Sequence, residues 1–501
     1  MSVLERRMGL GELADIIGPE RVVGIPVGEV SHLAYDSREA REGTLFFAVP
    51  GVHVDGHEYA REAVTAGALA VVAEREIAGL EVPQLIVART RDALADAGDA
   101  WYERPSTKLH VIGITGTDGK TTTAFLANEV LRAAGRRPGL IGTVAVIVGD
   151  EVRPNPNRNT TPEALELQAL LAQMVAAGNE SVIMEATSHG LAQARVRNAR
   201  FAVGVLTNLT SEHLEFHGSL ESYRAAKAML FAEAPVSILN ADDPSFAYFR
   251  DQARDRVVTY AVEADADLRA SALDARADGT TFRLTAPGWG GEVRVPIPGS
   301  FNVHNALATL ALAHVEGVDL ALAADAIGRS PGVPGRMETV DEGQPFGVVV
   351  DYAHTADSLG KVLRVLRPLA SGRLIAVFGS AGERDPTKRA PMGRVAAELA
   401  DILVVADEDP RLEDPRAINE QIADGARSAG ARDGEDLFVI DDRRAAITHA
   451  VGLARAGDVI LLAGKGHEQT IIYGTEGRPW DEKTVARKAL RAAGYGSDGG
   501  G

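Results

Sequence analysis

Cysteine is absent from all 501 residues, which excludes disulfides, thiolate catalysis and Cys-ligated zinc or iron–sulfur centres. Basic residues are in deficit: 52 Lys and Arg face 70 Asp and Glu, a formal net charge of −18. That balance disfavours non-specific nucleic-acid binding, which needs basic surface against phosphates, and no nucleic-acid partner is expected. An anionic ligand has to be held by local dipoles and a few placed Lys or Arg residues, against the mean field. No apolar run reaches about 18 residues, so no membrane span is expected. The opening "MSVLERRMGLGELADII" has no stretch of signal-peptide type. A cytoplasmic protein follows as the expectation, with "GYGSDGGG" as a flexible end.

What is present is ordinary for a soluble globular protein, with 45% hydrophobic and 24% charged residues. The length exceeds one core and predicts roughly two to four domains. Short apolar runs alternate with longer segments of helical spacing, the pattern of parallel sheets built from βαβ units. The first block holds "TLFFAVPG" and "YAREAVTAGALAVVAE" and ends at the polar "WYERPSTKLH". A second runs to "FNVHNALATLALAHVEG", a Gly- and Pro-rich "GRSPGVPGRMETV" links it onward, and a third starts at "FGVVVDYAH". The expected domains are residues 1–107, 108–335 and 336–501.

Many apolar runs stop at Gly, charged or His residues: "VIGITGTDGK", "SVIMEATSHG", "GVLTNLTSEH", "GVVVDYAH", "LIAVFGSAGERD", "ILVVADEDPR" and "VILLAGKGHE". In open α/β sheets, ligands sit beyond the carboxyl ends of the strands. The set suggests two sheets with their working edges facing one cleft, although any single ending could be an ordinary loop.

In "VIGITGTDGKTTTAFLANEV", Gly113, Gly116 and Gly119 permit backbone shapes that side chains would block. Lys120 can reach terminal phosphates, Thr121 offers a hydroxyl to Mg²⁺, and the following helix turns its N-terminus to the anion. Ile114 stands where the strict phosphate-loop pattern has its first Gly. The alternative is a tight strand-to-helix turn with an exposed Lys; the intact G-K-T favours an ATP-type site.

Further along, Glu185 ends an apolar run, with His189 and Gln193 just beyond. Taken alone, Glu185 could be a solvated loop carboxylate and His213 a surface residue at a helix start. Lys227 lies in "YRAAKAMLF". A solvated helix lysine is the default, yet an apolar setting lowers a lysine's pKa by desolvation. The neutral amine could then take up CO2, and the carbamate would present a carboxylate to Mg²⁺.

These segments, together with "NTTPEALELQ", "FNVHNALA", "GRME", "DYAHTADSL", "FGSAGERDPTKRAPMG", "DEDPRLEDPRAI" and "GKGHEQ", occur in the order seen in Mur ligases. The chain most resembles the UDP-N-acetylmuramoyl-tripeptide synthetases, which add the third peptide residue in peptidoglycan precursor synthesis. The resemblance implies an α/β fold of three domains: an N-terminal UDP-sugar-binding domain, a central phosphate-loop ATPase domain with a parallel sheet, and a C-terminal Rossmann-like domain.

It also implies roles. ATP binding falls on Gly116, Thr117, Asp118, Gly119, Lys120, Thr121 and Thr122, with Asn305, Arg336 and Asp351. The Mg²⁺ network falls on Thr121, Glu185, His213 and a carbamylated Lys227; with Lys120 these carry the catalysis. UDP-sugar contacts fall on Ser37, Val52, His53, Val54, Asn159, Thr160, Thr161, Thr187, Gln193 and Arg195. His354 stands at the "DYAH" strand end. Arg384, Glu408, Asp409, Pro410, Arg411, Gly464 and Glu468 match positions that hold the incoming amino acid.

Some positions depart from the family pattern. Asp118 replaces the usual Asn and brings a negative charge to the turn, and Thr187 replaces Ser. Glu408 to Arg411 read Glu-Asp-Pro-Arg where diaminopimelate-specific enzymes have Asp-Asn-Pro-Arg. Arg411 suits a distal carboxylate, whereas Asp409 suits a distal ammonium. Meso-diaminopimelate is therefore the expected amino acid, with L-lysine and L-ornithine open.

The implied reaction is ATP-driven amide formation through an acyl phosphate on UDP-MurNAc-L-Ala-D-Glu, by a monomer with ATP between the central and C-terminal blocks. A folylpolyglutamate-synthetase-like ligase and a phosphate-loop switch protein are the alternatives. "NTTPEALELQ" and the "DSR" block speak against the first, and Glu185, His213 and Lys227 together against the second.

Overall fold

The computed structural model describes residues 6–51, 54–155, 159–210, 214–276, 279–299 and 301–496. These form two compact units. One comprises the described residues up to Asp267 with Ala311–Val318, and the other Leu268–Leu310 with the described residues from Asp319 on. Among the described residues no helix is long and apolar enough to cross a membrane.

The first unit holds two main sheets and a two-stranded pair, Met8–Gly9 with Glu29–Val30. The smaller has the order Arg21–Val23, Gln84–Ile86, Ala68–Ala73, Thr44–Phe47, His32–Ala34, parallel except at Arg21–Val23. Thr44–Phe47 is buried at every position, as expected of a strand covered on both faces. The larger sheet has a parallel core ordered Pro138–Ile141, Ser181–Glu185, His110–Thr115, Phe201–Leu206, Val236–Asn240, Arg256–Ala261. Ala145–Val148 and Glu151–Pro154 extend its first edge as antiparallel strands. Chain order reverses around His110–Thr115, so the turn after that strand lies at a topological switch point, where open α/β sheets bind ligands. Register sets Glu185 beside Ile114 and Leu206 beside Thr115, bringing three strand ends to one level.

The two sheets of this unit are tied by side chains. Tyr35 Oη donates to Glu166 Oε1 at 2.5 Å. Glu163 takes Arg91 on one oxygen and Arg195 on the other, each at 2.9 Å.

The second unit opens with an antiparallel meander of Leu268–Arg276, Gly279–Ala286 and Trp289–Val295. Its main sheet has the order Glu338–Thr339, Gly347–Asp351, Val459–Ala463, Leu374–Phe378, Ile402–Val405, Leu437–Val439 and is parallel after the first pair. Asp351 pairs with Ala463 and Phe378 with Val405, so the segments after these strands leave one edge together.

A buried guanidinium fixes two of those endings. Arg443 donates to the carbonyls of Asp407 at 3.2 Å and Ala463 at 2.7 Å, and pairs with Glu482 at 2.7 Å. Both ions are fully buried, and breaking such a pair strands a charge without solvent. Arg443→Met is expected to lower the unit's unfolding free energy by about 3–5 kcal/mol, with Arg443→Met/Glu482→Gln recovering a large part; urea denaturation followed by circular dichroism measures both.

Candidate functional site

The turn between His110–Thr115 and the helix Lys120–Ala133 is built on glycine. Gly116 has φ 151°, and a Cβ there would stand 1.9 Å from Thr207 Oγ1. Thr117 is held through its hydroxyl by Thr210 N–H at 2.9 Å, with Tyr223 Oη 3.1 Å away. Asn208 Oδ1 accepts the Asp118 N–H at 3.0 Å, and Thr207 Oγ1 donates to the Asp118 carbonyl at 2.6 Å. Asp118 itself is exposed. Gly119 caps the helix, and Thr122 lies buried in its first turn.

Two lysines converge on this turn. Lys120 Nζ donates to the carbonyls of Gly116 at 2.9 Å and Thr117 at 2.7 Å. Lys227, on the helix Leu220–Glu233, is 1% exposed and donates to the same Gly116 carbonyl at 2.7 Å. Its ammonium stands 4.6 Å from the centre of the Tyr223 ring. The solvated-helix alternative for Lys227 is thereby excluded. A helix N-terminus and two ammoniums at one glycine turn make an anion site.

Glu185 is fully buried. Its Oε2 accepts from Thr121 Oγ1 at 3.0 Å and Thr143 Oγ1 at 3.0 Å, and its Oε1 from Thr143 N–H at 2.8 Å. The carboxylate is thus a fixed acceptor at the head of the phosphate turn, not a loop group. Thr143 was missed by sequence reasoning; "LIGTVAV" ends a strand at a Gly like the other working endings. Thr143 also reaches Thr160 Oγ1 at 3.0 Å.

Four of the remaining predicted residues of this unit, Thr161, Thr187, Gln193 and Arg195, form a chain outward from Glu185. Thr161 Oγ1 donates to the Glu185 carbonyl at 2.8 Å, and Thr187 Oγ1 lies 2.9 Å from it. Arg195, largely buried, donates to the Thr161 carbonyl at 3.1 Å and to Gln193 Oε1 at 2.6 Å. The Asn159 carbonyl accepts from Asn155 Nδ2 at 3.3 Å. Ser37 begins a short 3-10 turn capped by Asp36, and Val54 is exposed. Val52, His53 and His213 lie outside the described residues.

In the second unit, Asp351 Oδ2 accepts from Met337 N–H at 2.8 Å and Oδ1 from Ala353 N–H at 2.9 Å. Burial pushes its carboxyl up, opposed by the Arg336 guanidinium and these N–H groups. Arg336 stacks over Tyr352 with 5.1 Å to the ring centre. His354 Nδ1 donates to the Tyr352 carbonyl at 2.9 Å, and burial holds its imidazole below the usual value. Asn305 is paired with Asn302 at 2.9 Å inside a helix, and Arg384 is exposed, its positive charge acting on His354 beside Tyr352.

Glu408, Asp409 and Pro410 are buried at the end of Ile402–Val405. Burial pushes the Glu408 carboxyl up to about 7, against the opposing charges of Lys388, Lys465 and Arg443. Its Oε2 has no hydrogen-bond partner. Gly464, φ 106°, lets the neighbouring strand end approach: a Cβ there would lie 3.1 Å from Glu408 Oε2. Asp409 Oδ1 accepts from Lys465 Nζ at 2.9 Å and Ile472 N–H at 3.0 Å. Lys465 also reaches Glu468 Oε2 at 2.6 Å, and Tyr352 Oη donates to Glu468 Oε1 at 3.3 Å. Arg411 has a left-handed backbone, φ 54°, fixed by hydrogen bonds to Ile472 and Gly474, and its Nε has no partner. Lys465 and Tyr352 were not among the residues singled out by sequence.

Three family models match the chain: Mur ligase family, catalytic domain, over residues 29–102; Mur ligase middle domain over 114–313; and Mur ligase, glutamate ligase domain, over 335–466. A UDP-N-acetylmuramyl-tripeptide synthetase of Roseiflexus sp. (strain RS-1) is 47% identical over 93% of this chain and 96% of the relative. A UDP-N-acetylmuramoyl-L-alanyl-D-glutamate--2,6-diaminopimelate ligase of Geobacillus kaustophilus is 43% identical over the same shares, 93% and 96%. A solved structure of a ligase with that second name superposes with a TM-score of 0.69 at 31% identity, covering 97% of this chain and 99% of its own. The chain belongs to the Mur ligase family.

Proposed function

We propose that the chain is an ATP-dependent ligase joining meso-diaminopimelate, through its amine, to the D-glutamyl carboxylate of UDP-N-acetylmuramoyl-L-alanyl-D-glutamate. The observation that carries the reading is the convergence of Lys120 and Lys227 on the Gly116 carbonyl, beside the Thr121–Glu185 pair. Relatives named for this reaction and this acceptor support it. So does Arg411, a partly exposed guanidinium of the kind that pairs with a distal carboxylate. Domain boundaries near residues 107 and 335 belong to the same proposal.

The turn binds the triphosphate through backbone N–H groups and the Lys120 ammonium. The D-glutamyl carboxylate attacks the γ-phosphorus, ADP leaves, and an acyl phosphate remains. The acceptor amine adds to the acyl carbon; the tetrahedral intermediate expels phosphate and loses a proton. Thr161, Thr187, Gln193 and Arg195 hold the UDP-sugar end, so that the carboxylate is positioned without entropy loss at the reacting step.

The Thr121 hydroxyl and Glu185 carboxylate, 3.0 Å apart, are hard oxygen donors that fit Mg²⁺. His213 and a carbamate on Lys227, made from the neutral amine and CO2 with loss of a proton, complete the proposed donor set. When bound, the ion supplies charge neutralisation at the phosphates. Thr143 fixes Glu185 from behind.

Purified protein supplied with ATP, magnesium, the UDP-muramyl dipeptide and a diamino-acid panel is expected to yield one tripeptide product by mass spectrometry. ATP hydrolysis that needs neither co-substrate would favour a nucleotide switch. Lys227→Ala should lower turnover by about 100-fold or more, with partial recovery on adding short carboxylates; full activity without them would discard the carbamate. Thr143→Val should cost about 10–100-fold in turnover or in apparent magnesium affinity, read from steady-state kinetics against magnesium concentration.

A further inference from the structure

Asp409 stands where the resemblance leads one to expect asparagine, and read locally its carboxylate would address the acceptor's distal end. The structure gives that carboxylate another partner. Lys465 is fully buried, and its ammonium lies 2.9 Å from Asp409 Oδ1. The same oxygen accepts the Ile472 N–H at 3.0 Å. The segment that carries Lys465 is closely packed: a Cβ on Gly466 would lie 2.7 Å from Tyr352 Cβ, and Arg443 ties the Ala463 carbonyl. Its second contact, Glu468 Oε2 at 2.6 Å, belongs to a side chain that keeps 32% exposure. Arg411, two residues beyond Asp409, keeps an Nε without partner.

We propose that Lys465 is a specificity-positioning residue: it takes up the charge of Asp409 inside the domain, so that Arg411 and not Asp409 sets the polarity that the acceptor's distal end meets. The proposal rests on the ligase reading above. It predicts that the Asp409 departure is silent toward the acceptor for as long as Lys465 is present. A buried pair held this way adds little net stability, but removing the cation alone leaves a carboxylate without compensation. That stranded charge would favour a distal ammonium over a distal carboxylate.

The test uses the full chain as wild type, Asp409→Asn, Lys465→Met, Lys465→Arg and Lys465→Met/Asp409→Asn, with meso-diaminopimelate or L-lysine as acceptor. The readouts are kcat and KM for each acceptor, KM for ATP, and the thermal unfolding midpoint. Lys465→Met is expected to lower the diaminopimelate-to-lysine ratio of kcat/KM by about 10-fold or more, through acceptor KM, while KM for ATP stays within about twofold. Asp409→Asn and the double variant should keep the ratio within about threefold of wild type, and Lys465→Arg should lie closer to wild type than Lys465→Met. An unchanged ratio in Lys465→Met, or no recovery in the double variant, overturns the proposal. If Lys465→Met does not fold, Asp409→Asn decides: a ratio within threefold supports the proposal, and a 10-fold swing toward diaminopimelate overturns it. A wild-type protein that joins neither of these acceptors nor L-ornithine overturns the ligase reading itself, a result told apart by the wild type alone.

Discussion

Two ammoniums share one carbonyl oxygen at Gly116, and the first unit's chemistry depends on that convergence. Two ammoniums on one carbonyl oxygen repel each other. An anion at the turn relieves the repulsion, and so does loss of charge from one amine. The proposed reaction uses both, with triphosphate on Lys120 and a carbamate on Lys227. The convergence itself is backbone-made: only a residue without Cβ can place its carbonyl there, because Thr207 occupies the space a side chain would need. Thr207 in turn helps hold the turn through the Asp118 carbonyl.

The second unit solves the opposite problem, that of gathering carboxylates. Glu408, Asp409 and Glu468 lie near one edge, and Lys465, Lys388 and Arg443 act on them. Ions so placed are a poor source of net stability. They are a good source of fixed geometry, because each partner is costly to remove and has few alternative positions. Arg443 shows this plainly: one side chain binds two strand-end carbonyls and a carboxylate, and the segments it ties carry Glu408, Asp409, Gly464 and Lys465.

Features encoded over a few residues were legible in the sequence. The glycine spacing and G-K-T marked the phosphate turn. An apolar run ending in a carboxylate marked Glu185, and a lysine among apolar residues marked Lys227, which the structure buries. The parallel sheets followed from alternation of apolar runs and helical spacing. Thr143 escaped because "GTV" after a strand carries no local mark of the buried carboxylate it serves, 42 residues away. The exposure of Asp118 escaped for a related reason: Thr207 and Asn208, which hold its backbone, lie about 90 positions on. Of the antiparallel edge strands, Ala145–Val148 reads like any other apolar run and Glu151–Pro154 is no apolar run at all; their direction is a property of the pair.

Asp409 carries the same lesson into specificity. Its partner lies 56 residues away, at the end of a strand not adjacent to its own: Leu374–Phe378 lies between Ile402–Val405 and Val459–Ala463 in the sheet. A motif compares each position with its neighbours in sequence, and on that basis an Asn-to-Asp change in a binding loop reads as a change of ligand. Charge, however, is compensated in space. A fully buried ammonium at 2.9 Å outcompetes a diffusing ligand for the same carboxylate, because its ordering was completed on folding whereas the ligand still loses freedom on binding. On the proposal above, the departure is absorbed by the protein, and the acceptor's distal end meets Arg411 in place of Asp409.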